Sequence, residues 1–448
     1  MRVLAIESSC DETAASVVEK NGLEIKVLSN IVSSSVELHA KTGGIIPENA
    51  AREQVKYIIP VIVEALITAR RAGGTGGRAP DARADERSET STGGKDNPGQ
   101  DPRSKWQEAN EILKNYIDAI AVTYGPGLIG SLLIGVETVK TLSLSFNKPL
   151  IPVNHLLAHI YANFISTSPS LTRPERSRRV TNHHFPFIGL IVSGGHTDLL
   201  YFKSHNDYKW LGGTRDDAAG EALDKIGRML NLSYPAGPEM EKCANRVTKP
   251  DIKFKSPLIN SDDFDFSFSG LKTEAMRYIN EKGQVNMNES DSKVVIERKN
   301  SKNGMNKRLS HSEDGAMKQV QNIPSECHFQ TYDEPFINSV CFATQKAVID
   351  VLVKKTLRAA EEYKCQTILL GGGVSANKTL IEKMNHESSR QRRASPKKAG
   401  IMNQGIKIYA PQKEYCTDNA AMIGAYALVN GKEKKWKEIK TNPELYFL

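Results

Sequence analysis

Two histidines stand four residues apart in NHLLAHIYA, a stretch with the composition of a helix. At that spacing His155 and His159 lie on one helical face, where both imidazoles can bind a single metal ion. Two ordinary polar residues beside a core would show the same pattern. Asp418 in EYCTDNAAMIG is the candidate third ligand, since two histidines and one carboxylate suit Fe(II) or Zn(II). The sequence leaves open a second role for Asp418, as the cap of a following helix.

Acidic residues gather at two further places. ESSCDET places Glu7, Asp11 and Glu12 after a predicted first strand, where carboxylates coordinate a cation, orient a nucleophile or simply line a polar turn. DDAAGEALDK is predicted to be helical, with three carboxylates on one face: Asp217, Glu221 and Asp224. Such a face is either solvated or offers a carboxylate to a sugar hydroxyl.

Glycine-rich turns follow three predicted strands, in TYGPGLIGS, VSGGHT and LGGGVSANK. Glycine allows the backbone to approach an anion closely, and the following helix adds unpaired N–H groups. None of the three matches the P-loop or the dinucleotide-binding fingerprint. Three such turns at equivalent points of two halves nevertheless indicate a nucleotide-like ligand.

Alternating strands and helices position these residues. RVLAIES, TAASVVEK and LEIKVLSNIVS are predicted strands, PENAAREQVKYIIPVIVEALITAR an amphipathic helix, and the histidine pair begins a helix after the strand PLIPVN. The second half repeats this order. We therefore predict an α/β protein with two duplicated lobes around a nucleotide-binding cleft, namely residues 1–165 and 186–415, with residues 416–448 as a C-terminal helix packing back on the first lobe.

Polar stretches interrupt this pattern and are predicted to be insertions: residues 71–105, 166–184, 284–330 and 386–404. The first of them, rich in Gly, Ser, Asp and Arg, is predicted to be disordered. The net charge of the chain is +8, but these four stretches together carry 23 basic and 14 acidic residues, so the remainder is close to neutral. A basic surface for RNA would therefore lie largely on the insertions, or on a local patch that net charge does not reveal.

Composition excludes several classes of protein. The 448 residues are 39% apolar and 25% charged, and no stretch of 18 uninterrupted apolar residues occurs. Acidic residues appear too early in MRVLAIESSCDE for a signal peptide, so we expect a cytoplasmic protein without a membrane anchor. The six cysteines are scattered without a CxxC pair, which indicates neither a disulfide framework nor a cysteine zinc site.

Several of these motifs together resemble the TsaD family, also called Gcp, of tRNA threonylcarbamoyladenosine synthases. They run in order from residue 1 to about residue 428, interrupted only by the four insertions: MRVLAIESSCDET, KTGGIIPENAARE, AVTYGPGLIGSLLIG, NHLLAH, LIVSGGHTDLL, DDAAGEALDKIGRMLNLSYPAGP, DFSFSGLKTEAMR, LLGGGVSANKTL and YCTDNAAMIGAYA. The resemblance implies the ASKHA fold of actin and the sugar kinases. It also implies transfer of threonylcarbamoyl from threonylcarbamoyl-adenylate to N6 of adenosine 37, in tRNAs that read codons beginning with A, with release of AMP.

The resemblance also implies a set of site residues. His155, His159 and Asp418 would bind one Fe(II) per subunit, with Zn(II) as the alternative. The adenylate would be held by Ile191, Val192, Ser193, Gly194, Gly195, Asp224, Gly237 and Asn377, with Asp224 near the ribose. The implied partners are tRNA and proteins similar to TsaB and TsaE, and the intermediate would come from TsaC or a relative.

The expected chemistry needs a base to collect the proton of the attacking amine, and Asp11 and Glu12 are the candidates. The chain departs from the family at Gln54, where a histidine is usual, and at Ala236, where a glycine is usual. Gln54 cannot titrate, so we expect no proton transfer there. Ala236 matters only if its backbone requires a positive φ.

Three rival functions are considered. A zinc peptidase needs a glutamate beside the first histidine, and Leu156 stands there. A small-molecule kinase fits the glycine turns, but kinases usually hold Mg(II) through oxygen ligands rather than histidines. A nucleotide-dependent scaffold would bind adenylate or ATP without transfer to tRNA.

Overall fold

The first five strands form one mixed sheet. In the computed structural model the described residues are 1–35, 46–75, 102–166, 183–283, 332–394 and 405–447. The strands are β1 (Arg2–Glu7), β2 (Glu12–Asn21), β3 (Glu24–Ser34), β4 (Ala119–Gly125) and β5 (Leu150–Asn154). Their order is β3-β2-β1-β4-β5; β1 pairs antiparallel with β2 and parallel with β4. The strands predicted in this half are present.

A second sheet repeats the first. Its strands are β6 (Phe187–Val192), β7 (Thr197–Phe202), β8 (Tyr208–Gly213), β9 (Thr367–Gly371) and β10 (Lys407–Tyr409). The order is β10-β9-β6-β7-β8, again with an antiparallel hairpin partner on one side of the first strand and a parallel partner on the other. Each lobe thus has the same strand order and the same pairing directions, and the duplication predicted from the sequence is confirmed.

Ten α-helices pack on these sheets in the described parts of the chain. They are α1 (Pro47–Thr75), α2 (Pro102–Asn115), α3 (Ile129–Phe146), α4 (His155–Tyr161), α5 (Ala219–Met229), α6 (Ala236–Ala244), α7 (Ser269–Lys282), α8 (Glu334–Glu362), α9 (Lys378–Ala394) and α10 (Ala420–Asn430). Short 3-10 turns cover residues 162–164, 373–376, 413–415 and 436–438.

Three apolar clusters form the cores. One lies between the first sheet and α1, α2 and α3, and another between the second sheet and α5 to α9. The third joins the lobes, because α4 and α10 lie between the sheets and pack against strands of the first lobe and, for α4, also β6 and β9. The start of α4 is therefore fixed at the junction of the two lobes, which is where the histidine pair stands.

Some boundaries differ from those expected. Helix α1 continues to Thr75 and α2 begins at Pro102, so both ends of the 71–105 stretch are helical; α9 likewise continues to Ala394 within the 386–404 stretch. The remainders of the four stretches lie outside the described residues, except at their borders. Strand β8 and helices α2, α6 and α7 were not predicted. Asp217 precedes α5, which begins at Ala219, so it does not share a helical face with Glu221 and Asp224.

Two helices, α3 and α8, are long and apolar enough to cross a membrane by length and composition. Helix α8 is the central helix of the second lobe, with 61% of its most apolar window buried, and α3 packs on β4 and α1. Packing inside the protein accounts for the apolar face of α8, whereas α3 is 39% buried and leaves Ile129, Leu133 and Leu144 exposed.

Candidate metal centre and nucleotide cleft

The chain brings His155, His159 and Asp418 together although 263 positions separate the first from the last. One ligand atom from each of the three lies within 4.8 Å of the others. His155 begins α4 directly after β5, and the side chain of Asn154 caps this helix by accepting from the Leu157 N–H. The helix thereby presents both imidazoles, one turn apart, to Asp418.

Asp418 is not the cap of the helix that follows it. Asn419 takes that role, because its side-chain oxygen accepts from the Met422 N–H at 3.1 Å. The carboxylate of Asp418 instead lies 3.3 Å from His159 Nε2 and 3.6 Å from His155 Nε2. The capping alternative that the sequence left open is therefore removed.

One structural observation indicates that these three side chains fit a metal ion. His159 is fully buried, and neither of its ring nitrogens makes a hydrogen bond to a described residue. Its Nε2 is close to Asp418 Oδ1 but does not point at it with hydrogen-bond geometry. Burial of an imidazole without a hydrogen bond costs free energy, and a metal ion bound by all three side chains would offset that cost.

A second carboxylate, Glu7, orients the first histidine. Glu7 Oε2 lies 3.0 Å from His155 Nδ1 and also accepts from the Thr123 hydroxyl, while Glu7 Oε1 accepts from the Ser9 N–H. The arrangement leaves His155 Nε2 directed towards Asp418. A carboxylate behind a ligating histidine is a recurrent feature of metal sites, because it sets the tautomer and raises ligand basicity.

Electrostatics at this centre favours a bound cation. Burial alone would lower the pKa of His155, but Glu7 and Asp418 raise it to about 9. Burial likewise opposes ionisation of the two carboxyl groups, yet the adjacent His155 holds the pKa of Glu7 and of Asp418 below their ordinary values. Burial lowers the pKa of His159. Two ionised carboxylates therefore flank a protonated His155, and a bound metal ion would displace that proton and take over its charge.

His196 also lies near this centre, although the sequence motifs did not indicate it as a site residue. It follows Gly195 in the turn VSGGHT, and burial together with the charges of His155 and His159 lowers its pKa to about 4. A histidine inside a glycine turn was the available signal. With this lowered pKa the imidazole of His196 is neutral at pH 7, so it adds no positive charge to the metal centre.

The acidic turn after β1 is held from the side by α1. Gln54 is fully buried, and its Nε2 donates to the carbonyl oxygens of Cys10 at 2.9 Å and Glu12 at 3.1 Å. Burial, followed by the charge of Asp11, raises the pKa of Glu12 well above its ordinary value. Gln54 thus has a positioning role at the site where the family usually has histidine.

The turn after β6 offers an open backbone surface. The side chains of Ile191 and Val192 belong to the core, so only their backbone can face a ligand. Gly194 and Gly195 are exposed, and a Cβ at either position would meet no atom within 4 Å. Ser193 O accepts from the Gly220 N–H, which places the beginning of α5 beside the turn.

The remaining predicted nucleotide residues lie on helices of the second lobe. Asp224 Oδ1 accepts from the Ala236 N–H at 2.7 Å, and burial raises the pKa of this carboxyl. Gly237 follows Ala236 and has open space on its Cα. Asn377 caps α9 through the Leu380 N–H and donates to Gln345.

The doubt attached to Ala236 is resolved by its backbone. It is the first residue of α6 and does not have a positive φ, so glycine is not required. Asp217 pairs with Lys225 and Lys272, and Glu221 also pairs with Lys225. Asp217 and Glu221 therefore stabilise the second lobe, and Asp224 is the carboxylate of the three without an ion pair in the described chain.

Tyr234 lies within the electrostatic field of acidic residues from both lobes. Burial, and then the charges of Asp11 from the first lobe and Asp224 from the second, raise its pKa. The acidic turn of the first lobe and the predicted ribose carboxylate of the second therefore both act on the charge of this phenol.

Comparison with known proteins gives a family and close relatives. A family model described as TsaD, tRNA N6-adenosine threonylcarbamoyltransferase, matches residues 26–72 and 105–425. A tRNA N6-adenosine threonylcarbamoyltransferase of Kosmotoga olearia is 37% identical over 442 residues, covering 99% of this chain and 97% of the relative. One of Moorella thermoacetica is 36% identical over 425 residues, covering 95% and 90%. A solved structure, component A of the (R)-2-hydroxyglutaryl-CoA dehydratase of Acidaminococcus fermentans, aligns with a TM-score of 0.42 at 10% identity, covering 95% and 97%.

Proposed function

Because the chain belongs to the TsaD family, whose fold is that of the ASKHA proteins, we propose that it is a tRNA N6-adenosine threonylcarbamoyltransferase that forms threonylcarbamoyladenosine. In the finer form of the proposal, the donor is threonylcarbamoyl-adenylate and the acceptor is N6 of adenosine 37 in tRNAs reading codons that begin with A. The products are the modified tRNA and AMP. The observation that carries the proposal is the assembly of His155, His159 and Asp418 beside an open glycine turn.

The donor is an activated mixed anhydride, so the protein has to hold it in line with the amine and stabilise the charge that develops as AMP departs. The exposed backbone at Gly194 and Gly195 and the start of α5 suit the phosphate. Asp224 suits the ribose, and its hydrogen bond to the Ala236 N–H places it beside Gly237. Asn377 lies near α6, because the neighbouring Lys378 N–H donates to Glu241 of that helix. The core side chains of Ile191 and Val192 contribute by fixing the turn.

His155, His159 and Asp418 would hold one Fe(II) or Zn(II), which supplies Lewis-acid stabilisation of negative charge when bound. Glu7, which contacts Nδ1 of His155, would hold a proton there and leave Nε2 for the ion that displaces the second proton. The unpaired nitrogens of His159 support this assignment.

The N6 amine loses a proton as the new C–N bond forms, and Glu12 with its neighbour Asp11 is proposed to take it up. The raised pKa of Glu12 makes its carboxylate a stronger base than an exposed one. Gln54 fixes the backbone of this turn and takes no part in the proton transfer.

The proposed partners follow from the same assignment: tRNA, the adenylate, and proteins similar to TsaB and TsaE. A tRNA-modifying enzyme of this kind works in solution, and we place it in the cytoplasm. The peptidase alternative lacks its base, since Leu156 beside His155 is a buried core residue.

The test is mass spectrometry of tRNA nucleosides after incubation with threonine, bicarbonate, ATP, a TsaC-type enzyme and unmodified tRNA, with and without the partner proteins. We expect threonylcarbamoyladenosine from the wild type, and none from His155→Ala or Asp418→Ala. His386→Ala is the matched control, because this histidine of α9 is exposed. Full activity of the first two variants would remove the metal assignment. Adenylate binding without transfer under every partner combination would favour the scaffold function.

A further inference from the structure

The last described residues, 431–447, form a strap that crosses from one lobe to the other. The Lys434 N–H donates to Leu150 O on the edge strand β5, and Ile439 is buried in the first-lobe core. The Asn442 N–H donates to Tyr124 O, and Pro443 O accepts from the Gly127 N–H. The strap is thus anchored to β5, to the end of β4 and to the turn after β4.

The end of the strap meets the second lobe at a buried carboxylate. Tyr446 donates to Asp198 Oδ1 at 3.4 Å, and the Trp210 indole N–H donates to the same oxygen at 3.0 Å. Asp198 itself is fully buried, whereas Trp210 and Tyr446 are 43% and 42% exposed. One hidden acceptor therefore fixes the polar ends of two aromatic rings and leaves ring surface open to solvent.

These rings stand beside the proposed catalytic centre. The ring centroids of Tyr446 and His196 are 6.4 Å apart, and His196 lies within the electrostatic field of the metal-binding trio. Asp198 of β7 lies directly opposite Ile191 of β6 in the sheet, and the side chain of Ile191 belongs to the apolar cluster between the lobes. Three of the residues predicted to hold the nucleotide, Asp224, Gly237 and Asn377, lie on or directly before helices α5, α6 and α9, which pack on the opposite face of the sheet. The other five belong to β6 and the turn after it. The aromatic pair is therefore on the face of the sheet away from Asp224, Gly237 and Asn377 and beside the turn after β6.

The strap is basic over most of its exposed length. Five exposed lysines lie within nine residues: Lys432, Lys434, Lys435, Lys437 and Lys440. None forms an ion pair with another described residue, and the same stretch holds only two acidic residues, Glu433 and Glu438. Trp436 is exposed among them, with Lys437 over its ring. This patch lies outside the four insertions, where the sequence placed most of the basic charge.

We propose that the strap and Trp210 form the docking surface for the single-stranded RNA loop that carries the acceptor adenosine. The lysines contact the phosphate backbone, and Trp210 with Tyr446 stacks on an unpaired base beside the metal centre. The inference rests on the proposed function. A row of exposed lysines around Trp436, continued by the exposed rings of Tyr446 and Trp210, suits the phosphates and bases of single-stranded nucleic acid. Because the strap is already anchored to both lobes, little conformational entropy is lost when RNA binds to it.

The lysine part is tested by measuring the affinity of the full chain, alone and with its partner proteins, for an unmodified anticodon stem-loop over a range of salt concentrations. Replacement of Lys434, Lys435 and Lys437 by alanine should weaken binding by about tenfold and reduce the slope of log K against log salt by about 2. The matched control replaces three exposed lysines of one second-lobe segment, Lys249, Lys253 and Lys255. Equal loss in both triple variants would overturn the inference.

The aromatic part is tested by fluorescence. With Trp106 and Trp436 replaced by phenylalanine, the remaining Trp210 should be quenched by the stem-loop and not by AMP. Tyr446→Ala should weaken stem-loop binding by about tenfold, whereas Tyr446→Phe, which keeps the ring, should retain most of it. An unquenched Trp210 with the stem-loop bound would exclude stacking at this position.

Failure of the inference and failure of the proposed function give different results. If the strap variant transfers to tRNA at the same rate as the wild type, the strap is not the docking surface, and the proposed function still holds. Absence of both tRNA binding and transfer in the wild type would reject both. Binding of an acidic polypeptide, with the stem-loop bound equally by wild type and strap variant, would reassign the surface to a protein partner.

Discussion

At the residue scale, Glu7 decides which nitrogen of His155 is available. Its Oε2 is 3.0 Å from His155 Nδ1 and is also held by Thr123. Glu7→Gln keeps the volume and removes the charge behind the imidazole, so we expect affinity for Zn(II) or Fe(II) to fall by about 10- to 100-fold. The measurement is competition with a chromogenic chelator.

Thr123→Val serves as the graded control for this prediction, because it removes one hydrogen bond to Glu7 while leaving the carboxylate in place. Its effect on metal affinity should be smaller than that of Glu7→Gln. Unchanged affinity in Glu7→Gln, with the fold intact by circular dichroism, would show that Glu7 does not tune the ligand.

Asp198 makes stability depend on pH. Burial raises its pKa from the ordinary 3.8 to about 6, and one of its oxygens has no partner among the described residues. The folded state therefore holds the proton more tightly than the unfolded state, and the unfolding free energy falls as pH rises from about 4 to about 6. The loss amounts to about 3 kcal/mol at neutral pH.

Asp198→Asn removes this titration and still offers an oxygen to Trp210 and Tyr446. We expect the variant to be more resistant to urea than the wild type at pH 7.5, with the difference shrinking towards pH 4. The same difference at both pH values would mean that Asp198 does not titrate in this range.

At the element scale, the local sequence pattern was enough to predict most strands and helices. It was not enough to predict which residues distant in sequence come into contact. Strand alternation and the spacing in NHLLAHIYA were enough for the strands of the first sheet and for a helix beginning at His155. Asp418 and Asn419 are equally good caps, and only a helix beginning at Ala420 decides between them. Likewise, nothing local distinguishes Glu7 from Asp11 as the partner of His155, because the choice depends on contact between β1 and α4.

Gln54 joins α1 to the turn after β1, and it does so as a donor. Its Nε2 serves the carbonyl oxygens of Cys10 and Glu12, while its own oxygen has no partner in the described chain. Gln54→Glu is isosteric but places an acceptor against those carbonyls. We expect a loss of about 2 kcal/mol or more in unfolding free energy, together with reduced transfer.

Gln54→His, which restores the residue usual in the family, supplies the comparison in the same denaturation and transfer assays. One ring N–H can replace one of the two hydrogen bonds, so this variant should be destabilised less than Gln54→Glu. Equal stability of Gln54→Glu and the wild type would show that the two hydrogen bonds from Gln54 contribute little to the free energy of unfolding.

At the scale of the whole molecule, the site is divided between the lobes. The acidic turn and the histidines come from the first lobe, whereas the glycine turn and Asp224 come from the second. Helices α4 and α10 fill the space between the two sheets, so the metal centre lies where the lobes meet. A ligand that contacts both lobes stabilises the pair against unfolding and against separation, since it binds the assembled state alone.

This division makes a prediction about the adenylate. At a concentration one hundred times its dissociation constant, a non-hydrolysable analogue should raise the unfolding free energy by about 3 kcal/mol, measured by thermal or urea unfolding. Gly194→Val is the decisive variant, because its side chain would enter open space in the cleft and its backbone does not require a positive φ. The ligand-free protein should unfold as the wild type does, and the shift with ligand should disappear. A full shift in Gly194→Val would place the phosphate elsewhere than at the turn after β6, and the glycine turn would then be a structural feature of the duplicated fold.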